Sequence, residues 1–375
     1  SNDPDVVFNP PDTVFDPANI GPRGWILQEV TRNTDAYVAT QSLDAAYLTL
    51  DYTWTDRLRV NLGARREDNL QDVRTFNLVN PSQIASESRI ETSDLLPAAA
   101  ATWFINDKSQ LRAIYAETVS RPDFRELSDA PYTDPLLDTE TVGNPQLQPT
   151  AIKNYDLRYE YYFSSTETAS VALFYKGFTD PIERQQLGGT GDVATFFNVA
   201  SGKVYGIEFD WYRSLGAFDR WIRPLEKAWK GFARVPWEEI YLGTNYAKIV
   251  SGIDLSPETQ GIATSLDRPL QGQSPYVFNV QLGWQPEDGK REATLLYNVS
   301  GARISQVGTN GRADIYEEPF RQLDFVYGQS LGHGFKMKLR LRNLLDPASR
   351  FTQGDQVTRE FRKGREAVLS IEWGM

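Results

Sequence analysis

The sequence predicts an all-β fold: a transmembrane antiparallel up-and-down β-barrel, present as a C-terminal portion of about 13 strands. Three observations predict it. Apolar and polar residues alternate at period two along most of the chain. The alternating runs end in Tyr, Trp or Phe beside a turn. The connections between runs are short and long by turns. Strict alternation places one face of a strand in an apolar medium and the other in water. Aromatic ends resemble the girdle at a membrane interface, and short turns on one side with long loops on the other are how membrane barrels are built.

The elements follow in order. Residues 1–43 are polar and Pro-rich at the start and read as the remnant of an outer loop leading into the first strand. Residues 44–375 read as a partial barrel. Its expected strands are 44–54, 57–67, 94–104, 110–119, 151–163, 168–177, 203–213, 239–249, 275–285, 291–301, 319–329, 334–344 and 363–374. In the first, Ala46, Leu48, Leu50, Tyr52 and Trp54 oppose Tyr47, Thr49, Asp51 and Thr53. Later, Tyr276, Phe278, Val280, Leu282 and Trp284 oppose Asn279 and Gln281, and Phe335, Met337, Leu339 and Leu341 oppose Lys336, Lys338, Arg340 and Arg342. Trp54, Tyr161, Phe163, Trp211, Trp284 and Trp373 close such runs and are the candidate membrane-interface residues. Long polar loops are expected at 68–91, 120–150, 178–203, 250–274, 301–318 and 346–362. Single-chain bacterial barrels normally have an even strand number, so an odd count behind a polar segment points to strands missing in front.

Composition limits the alternatives. Mean hydropathy is −0.47, and no run approaches the ~18 apolar residues of a membrane helix. A barrel wall needs only every second residue apolar, so its mean stays low. The chain has no cysteine, which removes disulfides, thiol catalysis and Cys-ligated metal. A net charge of −11 argues against a nucleic-acid partner. A soluble antiparallel sandwich would also alternate, but it has no reason to keep short and long connections on opposite sides.

No enzyme chemistry is legible. The one histidine, His333, lies in the turn Gly332-His333-Gly334, and no catalytic set can be assembled around it. Gly188-Gly189-Thr190-Gly191 lacks the Lys and following helix of a phosphate cradle. Asp129, Asp134, Asp138 and Glu140 match no Ca²⁺ loop and read as solvated acids. No catalytic residue, metal or cofactor is expected. One short-side connection is unusual. Residues 217–236 put Trp221, Leu225, Ala228, Trp229 and Phe232 on one helical face, with Arg220, Arg223, Lys227, Lys230 and Arg234 as cations. That is the composition of an interfacial amphipathic helix started near Pro224. A helix packed under the barrel fits equally well.

Two segments carry a family resemblance. Ser120-Arg121-Pro122-Asp123-Phe124-Arg125-Glu126-Leu127 is followed by Gly143-Asn144-Pro145-Gln146-Leu147-Gln148-Pro149 and Asn154-Tyr155-Asp156-Leu157. Together they resemble the SRPDFREL … GNPxLxP … NYDL pattern of TonB-dependent outer-membrane receptors. Arg342-Asn343-Leu344-Leu345-Asp346 resembles the family's NLxD, and Gly364-Arg365 the GR of its last strand. Physically these motifs read as structural: Pro122, Pro145 and Pro149 stop strands, and Gly143-Asn144 is turn chemistry.

The resemblance implies a receptor in the bacterial outer membrane that binds a scarce substrate (siderophore, cobalamin, glycan or peptide) for TonB-energised import. Its partners would be outer-membrane lipid, a plug domain of the same protein, TonB, and a small-molecule or oligomeric substrate. Family barrels have about 22 strands around a plug, so the plug and the first strands are expected to lie outside this sequence. The last residue, Met375, departs from the family's terminal Phe. Tyr132, Asp134, Asp138, Phe196 and Phe197 are the candidate ligand contacts. A passive porin and a soluble extracellular carbohydrate-binding protein are the rival readings.

Overall fold

The computed structural model describes residues 11–21, 26, 31–134, 139–187, 193–228, 235–261 and 263–374. Thirteen strands form one antiparallel sheet. They are β1 (Ala36–Thr55), β2 (Leu58–Phe76), β3 (Ile84–Asn106), β4 (Ser109–Ser120), β5 (Thr150–Tyr162), β6 (Thr168–Thr179), β7 (Ser201–Ser214), β8 (Ile240–Asp254), β9 (Tyr276–Trp284), β10 (Arg291–Ser300), β11 (Arg321–Gly332), β12 (Phe335–Arg342) and β13 (Glu366–Trp373). Each pairs with its neighbour in this series, so the sheet is a continuous meander. Trp373 of β13 lies opposite Phe335, which follows the His333 turn. The chain therefore ends on the short-turn side.

Side-chain exposure sorts by parity. Leu48 is 79% exposed, Leu157 42% and Ile371 64%, while of the charges expected to point inward Asp156, Arg158, Glu208 and Arg340 are half-buried and Arg59, beside the first short turn, is exposed. Leu58, Val60 and Leu339 are half-buried. A soluble sheet would do the reverse, because burying apolar area is what stabilises it. This wall turns most of its apolar side chains outward and Asp156, Arg158, Glu208 and Arg340 inward.

The first three strands run further than expected. β1 begins at Ala36 rather than 44, and the expected loop 68–91 is mostly hairpin, β2 reaching Phe76 and β3 starting at Ile84. β3 has 23 residues, about twice the ~9–11 that cross a bilayer. The inner face of its upper half is buried against the rim loops by polar Ser88 as well as apolar Ile90, so its sequence loses the apolar alternation and resembles a loop. Four of the remaining long connections, 120–150, 178–203, 301–318 and 346–362, fold into two four-stranded sheets over the outer rim. One contains Tyr132–Asp134, Thr139–Thr141, Val193–Asn198 and Ile182–Gln186, and the other Arg303–Gln306, Ile315–Glu317, Ala348–Gln353 and Gln356–Arg362. Buried apolar residues gather here, with Val73, Ile90, Leu127, Leu147 and Phe196 in one cluster.

The family-like segments touch one another. Residues Phe124–Leu127 form a one-turn helix, α1, closed by a reciprocal capping box between Asp123 and Glu126. Gly143 N–H donates to Ser128 O at 3.0 Å and Asn144 N–H to Glu126 O at 2.6 Å. A Cβ on Gly143 would sit 2.3 Å from Ser128 O, so only glycine fits. Asn343 and Gly364 are joined likewise, Asn343 Nδ2 donating to Gly364 O at 2.6 Å and Gly364 N–H to Asp346 Oδ1 at 3.0 Å. These motifs are clasps between loops and strands.

On the short-turn side, Asp219–Ala228 form helix α2, preceded by a 3₁₀ turn at Leu215–Phe218. The helix starts at Asp219, and Pro224 lies inside it rather than at its start. Proline there removes one helical hydrogen bond. Trp221 is 76% exposed. Trp229 lies outside the described residues.

Candidate functional site

The inner face carries a continuous polar ladder. Asn279 Nδ2 donates to Asn245 Oδ1 at 3.1 Å, and Asn245 Nδ2 to Asp210 Oδ1 at 2.6 Å. Asp210 Oδ2 accepts from Arg158 at 3.0 Å and from Ser170 Oγ at 3.2 Å. Arg158 also pairs with Glu160 at 3.1 Å. Alternation put each of these residues inward, and the register places them side by side from β9 to β5.

Above the ladder, the outer loops are welded into a plate. Arg268 meets Glu183 in a bidentate pair at 2.6 and 3.1 Å, with side chains 2% and 3% exposed. Gln271 ties three loops together. Its N–H donates to Glu183 Oε1 at 3.2 Å, its Oε1 accepts from Arg184 N–H at 3.0 Å, and its Nε2 donates to Ser305 O at 2.8 Å. Gln186 Nε2 reaches Gln306 Oε1 at 3.2 Å, linking the two loop sheets.

Within the plate, Tyr132 lies opposite Thr141. Arg125 stands over its ring, 4.7 Å from the centroid, and Arg184 donates to Thr141 Oγ1 at 2.6 Å. Burial pushes the Tyr132 phenol above its usual range, against the opposing pull of Arg184 and Arg125. One guanidinium over the Tyr132 ring and a second bound to the Thr141 opposite it make a local site for an anionic ligand. Phe196 is turned into the apolar cluster, with Asn144 donating to its carbonyl at 2.9 Å. Phe197 is half-buried on the same strand. The backbone of Asp134 ends the strand Tyr132–Asp134, and Asp138 lies outside the described residues.

Sequence reasoning named Tyr132 as a candidate contact, but not Arg125, Arg184, Arg268, Glu183 or Gln271. Arg125 stands in a quoted motif and could have been flagged. Arg268 and Glu183 are 85 residues apart in sequence, and no local pattern announces such a pair.

The aromatic run-ends sit near the short turns. Trp54 and Trp373 are exposed, whereas Tyr161, Phe163, Trp211 and Trp284 are half-buried. Arg213 lies over the Phe163 ring at 4.0 Å, and Trp284 Nε1 donates to Glu239 at 3.0 Å. Among the described residues no group of His, Cys, Asp or Glu could hold a metal ion.

Apolar side chains outward, a polar ladder inward and loops folded over one rim define a membrane-spanning barrel wall of the outer-membrane receptor class. The chain belongs to the family described as TonB dependent receptor-like, beta-barrel, whose model matches residues 2–344. It is an outer-membrane β-barrel of a transport-receptor family, not an enzyme. The match decides against a passive porin and a soluble carbohydrate-binding protein.

Solved structures with a similar fold include the ferric-catecholate import receptor Fiu from K12 E. coli in its closed form. It is 12% identical at TM-score 0.58, covering 88% of this chain and 44% of that chain. The siderophore receptor PiuA from Acinetobacter baumannii is 14% identical at TM-score 0.60, covering 90% and 44%. The copper transporter OprC is 15% identical at TM-score 0.61, covering 89% and 48%. This chain thus spans less than half the length of each. No curated protein sequence matches it.

Proposed function

We propose that this chain forms the wall and outer binding plate of a receptor that imports an anionic metal chelate of the siderophore type. The observation that carries the reading is Tyr132 under Arg125, with Arg184 bound to the facing Thr141, on a plate fixed by buried hydrogen bonds. An aromatic ring and two cations suit a chelate bearing both aromatic groups and negative charge better than cobalamin, a glycan or a peptide. Fiu and PiuA, whose folds are similar, are named for ferric-catecholate import and siderophore reception. Asp134, Asp138 and Phe197 are proposed as further contacts, and Phe196 as their support. A plug domain and TonB are the proposed partners for gating, by family. Trp54, Tyr161, Phe163, Trp211, Trp221, Trp229, Trp284 and Trp373 are proposed to meet the membrane interface.

The test is ferric-catecholate binding by the detergent-solubilised protein expressed from its own coding sequence, read by fluorescence quenching. Arg125→Ala removes an exposed side chain and should weaken binding about tenfold, which is about 1.4 kcal/mol. Tyr132→Leu should do the same, and a neutral ligand of equal size should be indifferent to both. Unchanged affinity in both variants would refute the site.

A further inference from the structure

The outward face of β3 to β7 carries three stacked rows that the transport reading does not use. The middle row is tyrosine. Tyr115 lies directly opposite Tyr155, Tyr155 opposite Tyr175, and Tyr175 opposite Tyr205. Their rings touch in series, with centroids 5.0 Å apart for Tyr115 and Tyr155 and 6.0 Å apart for Tyr155 and Tyr175. Tyrosine in such a row presents an apolar ring to acyl chain and a hydroxyl to the headgroup region.

The row two residues towards the membrane centre is apolar and dented. Ala101 faces Ala113, Ala113 faces Leu157, and Leu157 faces Leu173. The small alanines leave an open groove of roughly 600 Å³ between Val60 and Leu62 on one bank and Leu157 and Leu173 on the other. The row two residues the other way is charged. Glu117 faces Lys153, Lys153 faces Gly177, and Gly177 faces Lys203. Both lysines are exposed, and among the described residues neither is ion-paired. The carboxylates of Glu117 and Asp254 line the same groove as the lysines: Glu117 accepts from the Tyr115 hydroxyl and Asp254 from Ser201 Oγ at 2.6 Å, neutral donors that leave both charges in place. A second groove of about 590 Å³ contains Lys153, Gly177 and Lys203, and it shares Tyr155 and Tyr175 with the first.

The distances fit one molecule. Two strand spacings separate Lys153 from Lys203, about 10 Å. Gly177 itself has no side chain; the Tyr175 ring and hydroxyl lie over it, and Lys203 extends toward Gly252. The lysine row stands about 7 Å above the tyrosine row, and the dent begins about 7 Å below it. A paired cation, an aromatic collar and a dry groove, in that order along the membrane normal, match a phosphate, a glycerol or sugar backbone, and an acyl chain. We infer that this face is a specific site for one phosphorylated acyl lipid of the outer leaflet. Its phosphate would lie between Lys153 and Lys203 and one chain in the Ala101–Ala113 dent.

Native mass spectrometry of the detergent-solubilised protein, expressed from its own coding sequence, tests this with dioleoyl phosphatidic acid as the probe. Dioleoylglycerol has the same chains without the phosphate. The expected result is one retained phosphatidic acid and at least tenfold weaker retention of dioleoylglycerol. The double variant K153Q/K203Q should abolish the difference. Ala113→Trp, which fills the dent, should lower retention of both lipids. The outward K248Q variant should change neither, and heat-modifiable gel mobility confirms that each variant is folded. Equal retention of the two lipids by the unmodified protein would overturn the site. So would a K153Q/K203Q variant that still discriminates, or displacement by inorganic phosphate alone, which would mean a free-anion site.

Discussion

Replacing Arg268 by Ala should loosen the outer plate without disturbing the wall beneath it. In the intact plate Glu183 is 3% exposed and bound by both Arg268 nitrogens and the Gln271 N–H. Removing the guanidinium leaves a carboxylate with one donor in a nearly dry site. Breaking a buried ion pair from one side costs about 3–5 kcal/mol, chiefly because the remaining charge is uncompensated. At about 1.4 kcal/mol per tenfold, local opening should become on the order of one hundred to several thousand times more frequent. Hydrogen exchange read by mass spectrometry should show this at Ile182–Gln186 and around Gln271, whereas β9 and β10 should exchange as before. The double variant Glu183→Leu/Arg268→Met should recover much of the protection, since an apolar pair can replace a buried ion pair at little loss. Less than a tenfold change in the single variant, or no recovery in the double, would refute the argument that desolvated charge holds these loops together.

Three further outcomes are expected. Gly143→Ala should melt the clasp between α1 and the following loop, because its Cβ would meet three carbonyl oxygens within 2.7 Å; limited proteolysis within 121–149 should accelerate while the barrel stays folded. Leu157→Arg should destabilise the wall by about 2–4 kcal/mol if it lies near the bilayer midplane, and Arg158→Leu should lack that depth-dependent cost; refolding into vesicles of two thicknesses separates the cases. Burial holds the Glu126 carboxyl above the usual range, with the Asp123 backbone opposing and the Asp123 charge adding to it. Folding therefore makes this carboxyl easier to protonate than in the unfolded chain, so the contribution is full below the unfolded pKa and is lost as pH rises through the folded one. Glu126→Gln should flatten that loss in a proteolysis titration of the loop, and an unchanged pH profile would contradict it.

What the sequence determined by itself was the wall. Period-two alternation is a property of each strand alone, because each side chain meets lipid or water whatever its distant neighbours are. Thirteen runs, their order, the side carrying the short turns and the outward set from Leu48 to Ile371 were legible for that reason. The hairpin above the membrane was not, because the buried inner face of β2 and β3 there is itself largely polar, Gln71, Thr75 and Ser88 hydrogen-bonding to the rim loops. Register belongs to strand pairs, so only the structure could line up Asn279, Asn245, Asp210 and Arg158 as one ladder, or set Lys153 and Lys203 on either side of Gly177. The plate lay furthest beyond the sequence. Glu183, Arg268 and Ser305 come from three separate loops, and what fixes them is mutual desolvation, which exists only after those loops have met.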